Sequence, residues 1–367
     1  MVLVVVAGIA AAQPSRWTKE PGIRVADGSV PYVVQLGDTA YRLYHTGPGG
    51  ICSSISSDGL AFESEPGVRV PNGPDSMQYI VADPTVVTIT GGYRMYYKGA
   101  TGPGGPGQAR NRIFSAVSAD GLDWTKEGLR YQNLGPPDNG WTSVPDAITL
   151  PDGRVRIYYT SATGGIRSII SDNGLDFLPE DGVRLNAVDP NCIYLPDSSY
   201  RLFFSTQVGP SQHIGFADSP DGLSFTLVDT IISPGGPNDS FGCIDPSAII
   251  LGNGRTRVYY GGVTRSSFPT LSAISPAGAV AEAWTTPECA VAAAPNPCRG
   301  ILTLRLLPAD NRAPQNVSIR DVSGRPVYSF PAASSARFVV DLRPLPEGVY
   351  FISTEATPKA ARLVLVR

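Results

Sequence analysis

At 367 residues, 42% of them hydrophobic and 17% charged, the chain is long enough to bury a sizeable core and too apolar to be disordered. A net charge of −3 leaves no basic excess to neutralise phosphates, which argues against nucleic acid as a partner. The high content of glycine (40) and proline (34) favours many turns and few exposed helices.

Met1–Gln13 is an apolar run too short to span a bilayer, and Ala10-Ala11-Ala12 offers a small-residue cleavage site. Residues 1–13 are therefore expected to be a signal-peptide remnant. No Lys or Arg precedes the run, so a buried first strand is the other reading. No other segment is apolar enough to cross a membrane.

From residue 14 to 288 the chain repeats itself. Arg16–Val25, Ala61–Val70, Asp123–Tyr131 and Asp176–Leu185 are copies of one motif, with a weaker copy at Ser224–Ile232. Asp58-Gly59, Asp120-Gly121, Asn173-Gly174 and Asp221-Gly222 precede four of these copies and read as hairpin turns. A second run opens with Asp-Pro or a variant. A third is aromatic and alternating: Tyr41–Tyr44, Tyr93–Tyr97, Val155–Tyr159, Tyr200–Phe204 and Thr256–Tyr260. A fourth, such as Asn111–Ser118, returns to the turn. Each unit is four short strands in roughly 45–60 residues, the size of a propeller blade. The expected fold is all-β, a five-bladed β-propeller. The last unit lacks its outer strand, so Arg16–Val25 is expected to close the ring.

Aligned on the Tyr-Arg runs, the innermost strands carry Asp83, Asp146, Asp189 and Asp245, while the first blade carries Val30. These four aspartates are the candidate catalytic residues, converging on one mouth of the channel. Asp at a strand start also caps its own turn, so a structural role is the competing reading. Unpaired carboxylates around one funnel need hydrogen bonds, a ligand, raised pKa values or a cation such as calcium. Otherwise no cofactor is expected. With two histidines and no CxxC pair among the five cysteines, a zinc site is not expected either. Candidate ligand-binding residues on the same end are Tyr79, Arg112, Trp141, Arg167, His213, Phe241 and Arg265, together with Arg110. Cys192 and Cys243 read as core residues. Cys289 and Cys298 flank a linker, and a disulfide and two free thiols both stay open.

The Asp-Pro starts, the Tyr-Arg strands and the blade count resemble the superfamily of arabinanases, β-xylosidases, invertases and levansucrases, over residues 14–285. That resemblance implies a first-blade Asp as base or nucleophile, a second-blade Asp as auxiliary group and a Glu as acid. Here Asp83 carries over, Val30 stands in the first position, and the third blade has Asp146 rather than Glu. Asp27 is the acid nearest Val30 in sequence.

Residues 289–297 read as a linker, with Ala290–Ala294 its apolar part, and 298–367 as a small immunoglobulin-like sandwich. Pro295-Asn296-Pro297, Val317–Val327, Leu345–Phe351 and Ala361–Arg367 resemble the C-terminal sorting domain of the type IX secretion system. Cys298 departs from that pattern, and a non-sorting adhesive sandwich is the other reading. The implied location is secreted or on the surface of a Gram-negative-type bacterium, with the secretion machinery as a partner. The chain reads as a monomer with a polysaccharide or oligosaccharide ligand. Glycoside hydrolysis by the inner aspartates and non-catalytic binding of glycan or protein both stay open. A phosphorylase using the loop arginines is disfavoured by export.

Overall fold

Each repeat alternates apolar residues along short runs joined by glycine turns, a pattern that folds as an antiparallel meander with one face of each run buried. The computed structural model describes residues 17–37, 40–73, 77–102, 110–276, 291–294, 301–306, 316–321, 325–331, 337–354 and 357–365. The first strand of the described residues is β1 (Thr18–Lys19). The first blade is β2 (Ser29–Leu36), β3 (Ala40–Gly47), β4 (Gly50–Ser56) and β5 (Glu63–Pro71). The second is β6 (Ile80–Ile89), β7 (Gly92–Ala100), β8 (Asn111–Ser118) and β9 (Thr125–Tyr131). The third is β10 (Thr142–Thr149), β11 (Val155–Ser161), β12 (Ile166–Ser171) and β13 (Leu178–Leu185). The fourth is β14 (Val188–Tyr194), β15 (Tyr200–Val208), β16 (Ser211–Ser219) and β17 (Thr226–Ile232). The fifth is β18 (Gly242–Ile250), β19 (Thr256–Val263) and β20 (Thr270–Ile274), completed by β1.

The N-terminal copy closes the last blade. Thr18 pairs with Ile274, Lys19 with Ala273, and Val25 bridges Thr270. Arg16 lies outside the described residues. The innermost strands form a ring held by side-chain bonds to the neighbouring backbone. Val33 N–H donates to Ser247 Oγ, Ala147 N–H to Thr85 Oγ1, and Ala248 N–H to Asn191 Oδ1.

The seams between blades repeat one device. Arg42, Arg94, Arg156 and Arg257 each pair with a glutamate on an outer strand: Glu65, Glu127, Glu180 and Glu20. Ser53, Ser115, Ser168 and Ser272 donate to those same glutamates at 2.7–2.8 Å. Two residues past each Arg, the hydroxyls of Tyr44, Tyr96, Tyr158 and Tyr259 donate to the carbonyls of Gly121, Gly174, Gly222 and Gly59, in the turn of the next blade. These turns need glycine twice over. At Gly121 φ is +76°, and a Cβ would sit 2.7 Å from both Arg42 Nη1 and Tyr44 Oη. The outer-strand arginines Arg24, Arg69, Arg130 and Arg184 then donate to the carbonyls of Leu60, Leu122, Leu175 and Leu223 in the same turns.

The seam from the fourth blade to the fifth is different. The fifth blade passes from β20 to the N-terminus, so it has no Asp-Gly-Leu turn to grip. Phe203 replaces the tyrosine there and meets Trp17 edge-on at 6.0 Å. Arg201 pairs with Asp218 at 2.7 Å and stacks over Phe216. Outer strand β17 accordingly lacks the Glu and the Arg, and its Leu227 and Val228 are exposed.

A second unit comprises residues 196–198 and 282–367. It contains two antiparallel sheets. One joins β21 (Val291–Ala294), β22 (Ile301–Leu306) and β25 (Arg337–Asp341). The other joins β23 (Asn316–Arg320), β24 (Pro326–Pro331), β26 (Gly348–Thr354) and β27 (Thr357–Leu365). The stretch expected as linker is in part a strand: Val291–Ala294 pairs with β22. Such a four-residue apolar run satisfies sheet and linker equally well in sequence, and the pairing partner decides. Val317, Ile319, Tyr350 and Ile352 are buried in this unit. Cys289 and Cys298 lie outside the described residues, whereas Cys192 and Cys243 are buried free thiols, as expected.

Candidate functional site at the channel mouth

Every inner strand carries a proline after a residue with left-handed backbone: Val30 (φ 50°), Asp83 (54°), Val144 (47°), Asp189 (55°) and Asp245 (52°). Strand pairing slips at each of these points, so all five are bulges. Proline suits the bulge because it carries no N–H to leave unpaired. Asp tolerates φ > 0, whereas β-branched Val does so at a steric cost.

This register corrects the reading of the third blade. Its bulge residue is Val144, and Asp146 lies two places further on, level with Tyr32, Thr85, Asn191 and Ser247. Residues at that level bind the next blade. Asp146 accepts from Cys192 N–H at 2.7 Å and Asn191 Nδ2 at 2.8 Å, as Thr85 and Ser247 accept from their neighbours. Burial pushes its carboxyl up to about 7, against those two hydrogen bonds. The ring at the bulge level is thus Val, Asp, Val, Asp, Asp.

Those three aspartates share a lysine that the sequence reading missed. Lys98 Nζ stands 2.6 Å from Asp83 Oδ2. Four residues past the repeat arginine, the other blades carry Thr46, Thr160, Ser205 and Gly261. There the hydroxyls of Thr46, Thr160 and Ser205 accept the N–H of Asp83, Asp189 and Asp245 on the next blade. Lysine cannot accept, so the Asp83 carboxylate takes over and receives Val144 N–H at 3.2 Å. Burial, offset by a hydrogen bond from Ser205 and raised further by Asp83, pushes Asp189 up to about 6. Burial and the charges of Asp189 and Asp83 push Asp245 well above the usual carboxylate range. Asp83 and Asp245 are buried, and Asp189 is partly exposed. Among the described residues no cluster of three or more His, Cys, Asp or Glu has metal-binding geometry. The channel cavity, lined by Val30, Tyr32, Val144, Asp146, Asn191, Asp245 and the bulge prolines, is water-sized at its core.

The rim candidates separate into two groups. Tyr79 (51% exposed), Trp141 (40%) and Phe241 (48%) present open rings in the segments that lead into β6, β10 and β18. Arg265 stands over the Phe241 ring at 5.7 Å. Arg112, Arg167 and His213 instead turn outward. Arg112 Nε donates to Gln132 Oε1 at 2.8 Å, Arg167 Nη1 to Gly182 carbonyl at 3.2 Å, and His213 Nδ1 meets Ser233 Oγ at 3.0 Å. All three are on the third strand of their blade, two strand spacings of about 4.8 Å from the innermost one, and these bonds run to the outer strand side. Asp27 is exposed in the turn before β2.

Solved structures that share the propeller fold include the following three. A thermostable family-43 glycoside hydrolase superposes with a TM-score of 0.57 at 16% identity, over 70% of this chain and 91% of its own. A family 117 glycoside hydrolase of Zobellia galactanivorans gives 0.56 at 15%, over 72% and 90%. An N-acetylgalactosamine deacetylase from F. plautii gives 0.55 at 16%, over 71% and 95%. No curated protein matches the chain in sequence. Residues 293–365 match the family described as the secretion system C-terminal sorting domain. The chain therefore has the β-propeller fold that these glycoside hydrolases share, followed by a segment that matches the secretion sorting domain and marks it for export, to the cell surface or beyond.

Proposed function

We propose that the protein is an exported carbohydrate-binding propeller whose ligand lies across the channel mouth and is not hydrolysed by the standard acid pair. The observation that carries this reading is the pair of valines at the first- and third-blade bulges, Val30 and Val144. The glycosidase resemblance needs a base and an acid from those blades, and an alkyl side chain neither takes nor gives a proton. Asp146 offers no replacement, because its two oxygens are engaged by Cys192 and Asn191. The open rings of Tyr79, Trp141 and Phe241 supply stacking faces for sugar rings. The cavity among the bulge prolines is water-sized at its core, which leaves the rim to the glycan.

Affinity electrophoresis in gels cast with polysaccharides, run beside reducing-end and aryl-glycoside assays, tests this. The expected result is retardation by at least one polysaccharide with no turnover. Turnover abolished by Asp83→Asn would replace this reading with a second one. In that reading Asp83, beside Lys98, acts as base and Asp245, kept protonated by burial, acts as acid.

A further inference from the structure

We infer that the glycan recognised at the mouth is anionic, a carboxylated or sulfated polysaccharide gripped by Arg110 and Arg265 beside their aromatic neighbours. The inference rests on the carbohydrate reading above and names the ligand's charge. Two rim arginines stand beside segments that carry an open ring. Arg265, exposed, stands over the open Phe241 ring at 5.7 Å. Arg110 packs its guanidinium against Gly140, the residue before the exposed Trp141, which bridges Asn111, and its Nη1 meets the Asn139 carbonyl at 3.4 Å. Neither guanidinium forms an ion pair among the described residues. An open ring with a free guanidinium beside it matches a sugar ring carrying an acidic group: the ring stacks, and the planar fork takes the carboxylate or sulfate.

The distribution of acid supports this. The net charge of −3 would by itself repel a polyanion. Much of the acid, however, sits at the opposite end, where Asp58, Asp120 and Asp221 cap the turns that lock the blades. Glu20 is tied to Arg257 at that same end, and at the mouth Asp239 is tied to Lys19. Asp138, in the segment before Trp141, is buried and accepts from Asn133 and Tyr159, and Asp27 is exposed before the first blade, away from the Trp141 and Phe241 segments in chain order. The channel aspartates lie below the rim, with Lys98 against Asp83.

The test uses the full chain and affinity electrophoresis with polygalacturonate, alginate and dextran sulfate, each beside a neutral counterpart: methyl-esterified polygalacturonate, arabinan and dextran. The expected result is retention by a charged polymer that weakens steeply with salt and is roughly tenfold weaker in Arg110→Gln and in Arg265→Gln, with the melting temperature unchanged. Retention by polygalacturonate or alginate assigns carboxylate, and retention by dextran sulfate alone assigns sulfate. Equal retention by charged and neutral polymers, or by neutral polymers alone, overturns the inference and leaves carbohydrate binding standing. Retention by none of the six overturns both. Binding to an acidic protein or to anionic vesicles without binding to any polysaccharide also overturns both.

Discussion

The outer seams and the inner bulge ring are built on the same repeat, yet they treat side chains in opposite ways. At the seams, Arg, Glu, Ser, Tyr and the Asp-Gly-Leu turn recur with nearly identical distances, and at the single seam where no turn exists to be gripped all but the Arg disappear together, leaving Arg201 to pair with Asp218. In the inner ring the backbone is repeated to within a few degrees of φ, while the side chains change from Val to Asp and from Thr to Lys. Repetition of side chains therefore marks what holds the blades together. Repetition of backbone with varied side chains marks a place where the fold leaves chemistry free to vary.

The largest expected effect comes from cutting a seam. Arg156→Ala leaves Glu180 facing only Ser168, and it removes the guanidinium contacts to Asp221 and Gly222 of the next blade. Breaking one partner of such a buried pair costs about 3–5 kcal/mol. Tyr158→Phe, which removes only the hydroxyl bond to Gly222, is expected to cost about 1 kcal/mol in urea unfolding. At the odd seam Phe203→Tyr should give no gain, because no turn carbonyl waits there. A stabilised Phe203→Tyr would break the comparison.

Protonation of the inner ring comes next, on the order of a few kcal/mol. Asp146 and Asp189 have carboxyls raised to about 7 and about 6, mainly by burial, whereas unfolded aspartate titrates at about 3.9. Between roughly pH 4 and 7 the folded chain holds more protons than the unfolded one, so stability should fall as pH rises through that window and level off above it. The turn aspartates Asp58 and Asp120, lowered to about 2 chiefly by backbone N–H bonds, act in a separate window below about pH 4. Urea midpoints at pH 5 and pH 8 should differ in favour of pH 5, and Asp146→Asn should shrink the difference. That variant also loses some stability at every pH, since its amide would face Asn191 Nδ2, which is fixed by Ala248. A midpoint that rises from pH 5 to pH 8 refutes the assignment.

Removing the lysine is expected to cost somewhat less, about 2–3 kcal/mol, because Lys98→Met leaves the Asp83 carboxylate buried without its counter-charge. Lys98→Thr installs the residue found at this level in the first and third blades, and its hydroxyl can accept Val144 N–H. It should cost less than Lys98→Met in the same urea series. Equal losses would mean that the ammonium has no bearing on the ring.

The blade architecture was legible because seam chemistry is repeated in the letters themselves: Tyr-Arg, Asp-Gly-Leu and the Glu-x-Gly-x-Arg outer strand. The closing of the last blade by the N-terminal copy followed from the same repetition. The candidate site was only half legible. Asp146 was misplaced because aspartates were aligned, while the feature the backbone repeats is the proline after each bulge: Pro31, Pro84, Pro145, Pro190 and Pro246. Lys98 was readable as the odd member of the series Thr46, Lys98, Thr160, Ser205, Gly261, but only once strand register was compared position by position. The outward turn of Arg112, Arg167 and His213 was not readable, since which strand edge a long side chain meets depends on its distance from the axis. The open rings of Tyr79, Trp141 and Phe241 were found from their place before the inner strands alone.

The smallest expected effect tests whether the valines of the ring serve anything beyond the fold. Val144 at φ 47° holds a β-branched side chain in the left-handed region, where Asn and Asp rest more easily. Its backbone N–H donates to the Asp83 carboxylate, a bond that survives any substitution of Val144 except proline. Val144→Asn should therefore be neutral or stabilising by roughly 0.5–1 kcal/mol, and Val30→Asn likewise. Asn adds no charge to the ring, so the three aspartates keep their electrostatics. If the valines merely fill a bulge, glycan retention should stay unchanged while the melting temperature holds or rises. If they form the apolar floor under a ligand at the mouth, as their place in the cavity lining suggests, retention should weaken in a protein of equal or greater stability. A clear loss of stability in both variants would show that the side chains are packed too tightly for conformational relief to matter, and the inner ring would then belong with the seams.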